Sequence, residues 1–320
     1  METFKSKLAP LFKEYLHFRE AMGFSDYHAH MLRQFDEYCY EHHPDVETLS
    51  KETVRGWVSH EVAKGSTVMH RKMASVRSLA KYLGNDAYFL PAKCVPKKPP
   101  TKPPYIFTDE EMSRLFHEVD HLGGKRDPFF KQVAPVLFRL FYTCGLRPCE
   151  GRLLKRSNIN FETGEILIPQ TKSNKERIVV MSADMLELCK DYDAQRSIVN
   201  SASEYFFMRS NGLPVSGDVL DLIFRRCWVQ ANAELPENQV PRARIYDLRH
   251  KFASTVLQKW MQNGEDLYSK LPYLSAYMGH CNFSMTAYYI HILPDRLLAS
   301  DVIDWKKIDQ TGPGVDVWKK

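Results

Sequence analysis

Residues 91 to 104, Pro-Ala-Lys-Cys-Val-Pro-Lys-Lys-Pro-Pro-Thr-Lys-Pro-Pro, constrain the chain more than any other stretch. They hold six prolines and four lysines. Each proline fixes φ and removes a backbone donor, so the run can be neither a helix nor a central strand. It reads as an extended, semi-rigid linker. A 320-residue chain is also longer than one average domain. The expected organisation is a small domain over 1–90, a linker over 91–104, and a larger domain from 105 onward.

Composition narrows the class. The chain is 44% hydrophobic and 26% charged, which suits a globular protein with a real core. It has no uninterrupted apolar run of membrane-spanning length, and Met1-Glu2-Thr3-Phe4-Lys5 leads into no apolar segment. The expectation is a cytoplasmic protein with no membrane partner. Seven scattered cysteines, with no paired C-x-x-C units, favour reduced thiols over disulfides or zinc. The net charge of +5 suits a nucleic-acid partner without requiring one. Most of that excess lies in the first 104 residues.

The first 90 residues read as all helix. Leu8, Leu11, Phe12, Tyr15 and Leu16 share a helical face that ends at Met22-Gly23. Further helices are expected over 27–40, over 49–64 with Ser50 as N-cap, and over 66–83. The last has an apolar stripe of Met69, Met73, Val76, Ala80 and Leu83. Its opposite face carries His70, Arg71, Lys72, Ser75, Arg77, Ser78 and Lys81.

Past the linker, Thr108 and Glu111 form a capping box for a helix over 109–121. That helix contains His117-Glu118-Val119-Asp120-His121, which fits the H-E-x-x-H zinc pattern, with Gly124 and Asp127 following. Met112, Leu115, Phe116 and Val119 put its core on another face, however, so a polar surface helix is the favoured reading. Residues 129–142 read as a buried helix stopping at Cys144-Gly145, and a short helix restarts at Pro148. Arg147 then stands at a helix entrance, with Glu150 spaced to orient its guanidinium. Residues 159–161, 165–169 and 177–181 read as three strands, with 170–176 as a turn. Helices are expected over 183–199, 218–232, 267–278, 284–292 and 295–308, and one continuing from Arg249 to Asn263. The expected class is mainly α with a small antiparallel sheet.

Four signatures and a tyrosine carry the chemistry. They are Cys144-Gly145-Leu146-Arg147-Pro148-Cys149-Glu150, Gln170-Thr171-Lys172-Ser173-Asn174-Lys175-Glu176-Arg177, Tyr246-Asp247-Leu248-Arg249-His250 and Met278-Gly279-His280, with Tyr289 nine residues after the last. In this order they resemble the tyrosine recombinase (phage integrase) family over about residues 105 to 295. The resemblance implies an N-terminal helical bundle, a catalytic domain and a tail over 296–320 exchanged between protomers. It also implies a site-specific recombinase that cuts and rejoins duplex DNA at two sites as a homotetramer, with accessory proteins possible.

The family pattern makes Tyr289 the nucleophile, forming a 3′-phosphotyrosyl link that conserves the bond for rejoining. Arg147 and Arg249 would grip the non-bridging oxygens, with His280 as a further donor. Lys172 would protonate the departing 5′-oxygen, with Lys175 as its competitor. Neither a metal nor another cofactor is expected. Tyr246 departs from the pattern, which usually has His there. A phenol can donate to phosphate but is a poor proton acceptor at neutral pH, leaving the base open. Cations expected along the DNA backbone are Arg71, Lys72, Arg77, Lys81, Lys97, Lys98, Lys175, Arg177, Arg242 and Arg244. Alternatives from the sequence are a type IB topoisomerase or telomere resolvase, a DNA-binding protein without cleavage and, remotely, a zinc peptidase.

Overall fold

The structure, a computed structural model, describes residues 4–24, 27–66, 68–91, 94, 103–123, 129–169, 176–280, 285–287 and 289. The chain divides into two compact units, Met1–Lys102 and Pro103–Lys320. Both are built mainly from helices, and the described residues form a single two-stranded sheet.

Among its described residues the first unit has four α-helices: α1 (Ala9–Ala21), α2 (Tyr27–His42), α3 (Lys51–Ala63) and α4 (Met69–Leu83). The Ser50 hydroxyl accepts from the Thr53 amide at the start of α3, satisfying one of the first-turn donors. Phe12, Leu32, Phe35, Val54, Trp57, Met73 and Val76 fill the core. Burial of each such side chain contributes about 1.5–3 kcal/mol before entropy is charged against it.

One expectation for α4 is corrected. Lys72 does not share the exposed face; it is buried and ion-paired with Glu61 of α3, and Ser75 is buried too. The reason is the number of neighbours: α4 packs against α1, α2 and α3, so the buried arc is wider than an apolar stripe suggests. Arg71 and Lys81 are exposed, while Arg77 is half-buried with its guanidinium 4.7 Å from the Phe89 ring centroid.

In the second unit, α5 (Asp109–Asp120) begins at the Thr108–Glu111 capping box. Helix α6 (Phe130–Thr143) is the hub, packed against α5, the short α7 (Pro148–Arg152), α8 (Ala183–Asn200) and α10 (Asp247–Gln262). Its Val133, Leu137, Phe138, Leu140 and Phe141 lie in the main core. Helix α9 (Gly217–Gln230) packs on α5 and α7, and α11 (Leu267–Met278) on α10. Strands β1 (Glu165–Ile168) and β2 (Arg177–Val180) pair antiparallel, Glu165 opposite Val180 and Ile168 opposite Arg177. The strand expected over 159–161 shrinks to one bridge, Ile159 with Ile166. Asn160 is the cause: its side-chain oxygen accepts from the amides of Glu162 and Thr163 and folds the chain into a turn.

His117 of α5 and His121, which caps the end of that helix, are exposed, and His121 Nδ1 lies 2.8 Å from the His117 carbonyl oxygen. Among the described residues no three His, Cys, Asp or Glu side chains are grouped to hold a metal. No described helix is long and apolar enough to cross a membrane.

Candidate active site

Two helix ends and one carboxylate build the site. Helix α6 closes through Gly145 (φ +61°) and α11 through Gly279 (φ +63°), left-handed conformations that favour glycine. At both positions space is short as well: a Cβ on Gly145 would come 2.5 Å from the Phe252 ring, and one on Gly279 3.0 Å from Arg177 Nη1. A helix leaves its last carbonyls unpaired and slightly negative. Here three successive carbonyls at the end of α11 each accept from a different arginine. Tyr277 takes Arg177 Nε at 2.8 Å, Met278 takes Arg249 Nη2, and Gly279 takes Arg147 Nη2. The Gly145 carbonyl accepts from Arg249 Nη1.

Glu150 ties two of these arginines together. Its side chain is 1% exposed and accepts from the Arg147 amide (2.8 Å), Arg147 Nη1 (2.6 Å), Arg177 Nη1 (2.9 Å) and Arg177 Nη2 (2.7 Å). Burial alone would raise its pKa; hydrogen bonds and charge from Arg177, then the Arg147 contacts, outweigh burial and hold it at about 2. Arg177 is thus no free cation for a DNA backbone but a clamp inside the site. In the sequence it closes the signature that begins at Gln170.

Arg249 is fully buried, and its Nε makes no hydrogen bond among the described residues. Such an orphaned donor is costly to bury and points to a ligand oxygen. His280 is buried as well, its Nδ1 2.7 Å from Thr286 Oγ1. Burial, with help from Arg249, Arg147, Arg177 and His250, lowers its pKa to about 3, so the ring is neutral at pH 7. When the Thr286 hydroxyl donates to Nδ1, the hydrogen of the ring sits on Nε2.

Tyr289 is 3% exposed and lies in a small apolar cluster with Ala253, Leu257, Leu267, Leu271, Leu274, Met278 and Ala287. Its ring stacks on His280, with centroids 5.9 Å apart and planes at 15°. Burial drives its pKa above the ordinary phenol value, against the pull of Arg249 and Arg147. Tyr246, the residue before α10, places its ring 5.1 Å from that of His250.

The structure therefore gathers Arg147, Glu150, Arg249, His280 and Tyr289, with Tyr246 at the edge through His250. Two participants escaped the sequence reading as site residues, Thr286 and His250, while Arg177 was expected there only as a DNA-backbone contact. Thr286 and His250 both lie within or beside quoted signatures, and His250 follows Tyr246 by four residues, one helical turn. Lys172, Lys175, Lys97 and Lys98 lie outside the described residues. Arg242 is exposed, and Arg244 is exposed but ion-paired with Asp247 at 3.0 Å.

A model of the phage integrase family matches residues 106–296, well over half of the chain. The chain belongs to the phage integrase family: it is a tyrosine recombinase, an enzyme that cleaves and rejoins DNA strands in site-specific recombination. Among its relatives, the putative integrase/recombinase y4rB of Sinorhizobium fredii is 25% identical over 93% of this chain and 95% of its own. Tyrosine recombinase XerC of Nitrobacter winogradskyi is 27% identical over 73% of this chain and 70% of its own. The fold is similar to that of the XerH site-specific recombinase bound to its palindromic difH substrate in a post-cleavage complex. That match has a TM-score of 0.62 and 19% identity, covering 85% of this chain and 77% of the other.

Proposed function

We propose that Tyr289 is the nucleophile and that Arg147, Arg249 and His280 hold the phosphate it attacks. The observation that carries this reading is the orphaned Arg249 Nε within a cluster that also holds the buried His280 and Tyr289 and the part-buried Arg147. The guanidinium donors and His280 Nε2–H oppose the charge that grows on the non-bridging oxygens as phosphorus becomes five-coordinate. The Tyr289 oxygen forms a bond to phosphorus, and the bond from phosphorus to the 5′-oxygen breaks. That oxygen takes a proton from Lys172 and leaves as a free hydroxyl. The phosphotyrosyl ester keeps the bond available for a second 5′-hydroxyl, and reversal of the same step rejoins the strand.

Exchange between two duplexes requires four cuts, so the assembly is a homotetramer with one tyrosine per strand. The domain organisation proposed is a helical DNA-binding domain over 1–90, the linker over 91–104, the catalytic domain over 105–295 and a tail over 296–320 passed to a neighbouring protomer. Arg71 and Lys81, exposed on α4, and Arg242 are the backbone contacts proposed among the described residues. The setting proposed is the cytoplasm, and the substrates are the ends of a mobile element, with accessory proteins assisting.

The test uses the full-length protein and duplexes amplified from both sides of its gene. The wild type is expected to give a protein–DNA adduct that survives boiling in detergent, and Tyr289→Phe none. An adduct that persists in Tyr289→Phe but is lost in Tyr288→Phe overturns the assignment.

A further inference from the structure

We propose that His250, rather than Tyr246, accepts the proton of Tyr289 during attack, with Asp247 placed behind the imidazole to stabilise its charged form. The inference rests on Tyr289 being the nucleophile and concerns a residue outside the set that holds the phosphate.

Geometry singles out His250. Its Nδ1 lies 3.1 Å from the Tyr289 hydroxyl, and its ring centroid 5.3 Å from that of the tyrosine. Its other nitrogen, Nε2, lies 4.0 Å from Oδ1 of Asp247, whose side chain is fully buried. Nucleophile, imidazole and carboxylate therefore stand in series, a base with a third group behind it. The His250 side chain is 14% exposed, so bulk water has little access to the hydroxyl from its side.

The neighbours are less suited. His280 turns its ring face to Tyr289, and its Nδ1 is committed to Thr286. Tyr246 is a phenol, and transfer between two phenols yields no base of useful strength at neutral pH. The position where the family pattern has histidine is thus one helical turn from a histidine that reaches the nucleophile.

Charge around His250 fits the role. Arg244 and Arg249 face it as cations, Asp247 as an anion, and Tyr246, Tyr289 and His280 as neutral groups. Burial, then Arg244 and Arg249, lowers its pKa to about 4, so its lone pair is free at pH 7. A DNA phosphate against Arg249 brings negative charge to the cation that depresses His250, which makes the ring more basic once substrate is in place. In the step itself the Tyr289 O–H bond breaks and its proton passes to Nδ1 as the oxygen bonds phosphorus. The P–O5′ pair leaves on the 5′-oxygen. During rejoining the phenolate departs and recovers that proton from the imidazolium.

The experiment measures single-turnover adduct formation on two duplexes, one normal and one with a sulfur in place of the scissile 5′-oxygen. The sulfur leaves without an acid, so it bypasses Lys172 but not the base. His250→Ala and the space-filling His250→Asn are expected to slow adduct formation on both duplexes by roughly 10²–10⁴. Added imidazole restores much of the His250→Ala rate, and Tyr246→Phe stays within about tenfold of wild type, as befits the loss of one neutral contact. Asp247→Asn moves the pH midpoint of the rate downward, because the imidazolium loses its anion. A His250→Ala rate equal to wild type overturns the inference, as does a deficit that the sulfur substrate cures or that imidazole leaves untouched. An adduct that persists in Tyr289→Phe overturns the underlying reading instead, whatever His250 does.

Discussion

Each unit of this protein buries a glutamate against cations, and the two arrangements differ in what they leave undone. In the first unit Glu61 meets one partner, Lys72, and the pair is enclosed between α3 and α4. In the second, Glu150 holds Arg147 and Arg177, and these join Arg249 at the carbonyl end of α11. The first arrangement closes on itself. The second concentrates positive charge around one carboxylate and leaves a buried donor, Arg249 Nε, unanswered. A buried ion pair is weak evidence for stability, since desolvation offsets much of its Coulomb gain. What separates the two is the surplus: three guanidiniums against one carboxylate make a receptor for an anion, whereas one ammonium against one carboxylate makes a fastening.

The sharpest way to break this contrast is Glu150→Ala. It strands two buried guanidiniums, so unfolding in denaturant should show a loss of about 3–5 kcal/mol. The same change lets Arg147 drift from its register, and cleavage at conditions where the protein stays folded should fall by roughly 10²–10³, the scale of losing one phosphate donor. If cleavage were intact in a destabilised Glu150→Ala protein, the carboxylate would be a fastening like Glu61, and the contrast would fail.

Acid offers a gentler probe of the same carboxylate. Its folded pKa is depressed, to about 2, below its ordinary value of 4.5. The stability it contributes is therefore fully present above 4.5 and is lost as pH falls from there toward 2. The shift corresponds to on the order of 3 kcal/mol. Unfolding free energy followed over that window should slope downward in the wild type, and Glu150→Gln should remove this part of the slope. An unchanged slope would mean that Glu150 is not held ionised by its arginines.

The sequence carried these two regions unequally. The Arg147–Glu150 pairing was legible because it is local: three residues apart across a helix entrance, after the φ-positive Gly145 and beside Pro148. Helix caps at Ser50 and Thr108 were legible for the same reason, and each accepts the amide expected of it. Arg177 was misread because its partners, Glu150 of α7 and the Tyr277 carbonyl of α11, lie on other elements. Lys72 was misread because hydropathy marks a lysine as exposed, while three neighbouring helices decide otherwise. Periodicity reports one buried face; it does not report how wide the face is. His250 gives no local signal of its role, because its contact with Tyr289, 39 residues away, is a matter of tertiary packing.

The smallest effect is expected at the other carboxylate, and it completes the contrast. Replacing the whole Glu61–Lys72 pair by apolar residues of similar length, as Glu61→Leu with Lys72→Met, removes both desolvation costs together with the attraction. Unfolding should then be unchanged or shifted upward by about 1–4 kcal/mol. Each single change would instead leave one charge buried alone and destabilise the helical unit. Lys72 is enclosed by α3 and α4 and so should add no released counterion on DNA binding. The slope of log affinity against log salt should match wild type in the double variant, while Lys81→Ala, at an exposed position on the same helix, should lower that slope by about one. A double variant that lost salt dependence would return Lys72 to the DNA surface and make the two buried carboxylates alike in function.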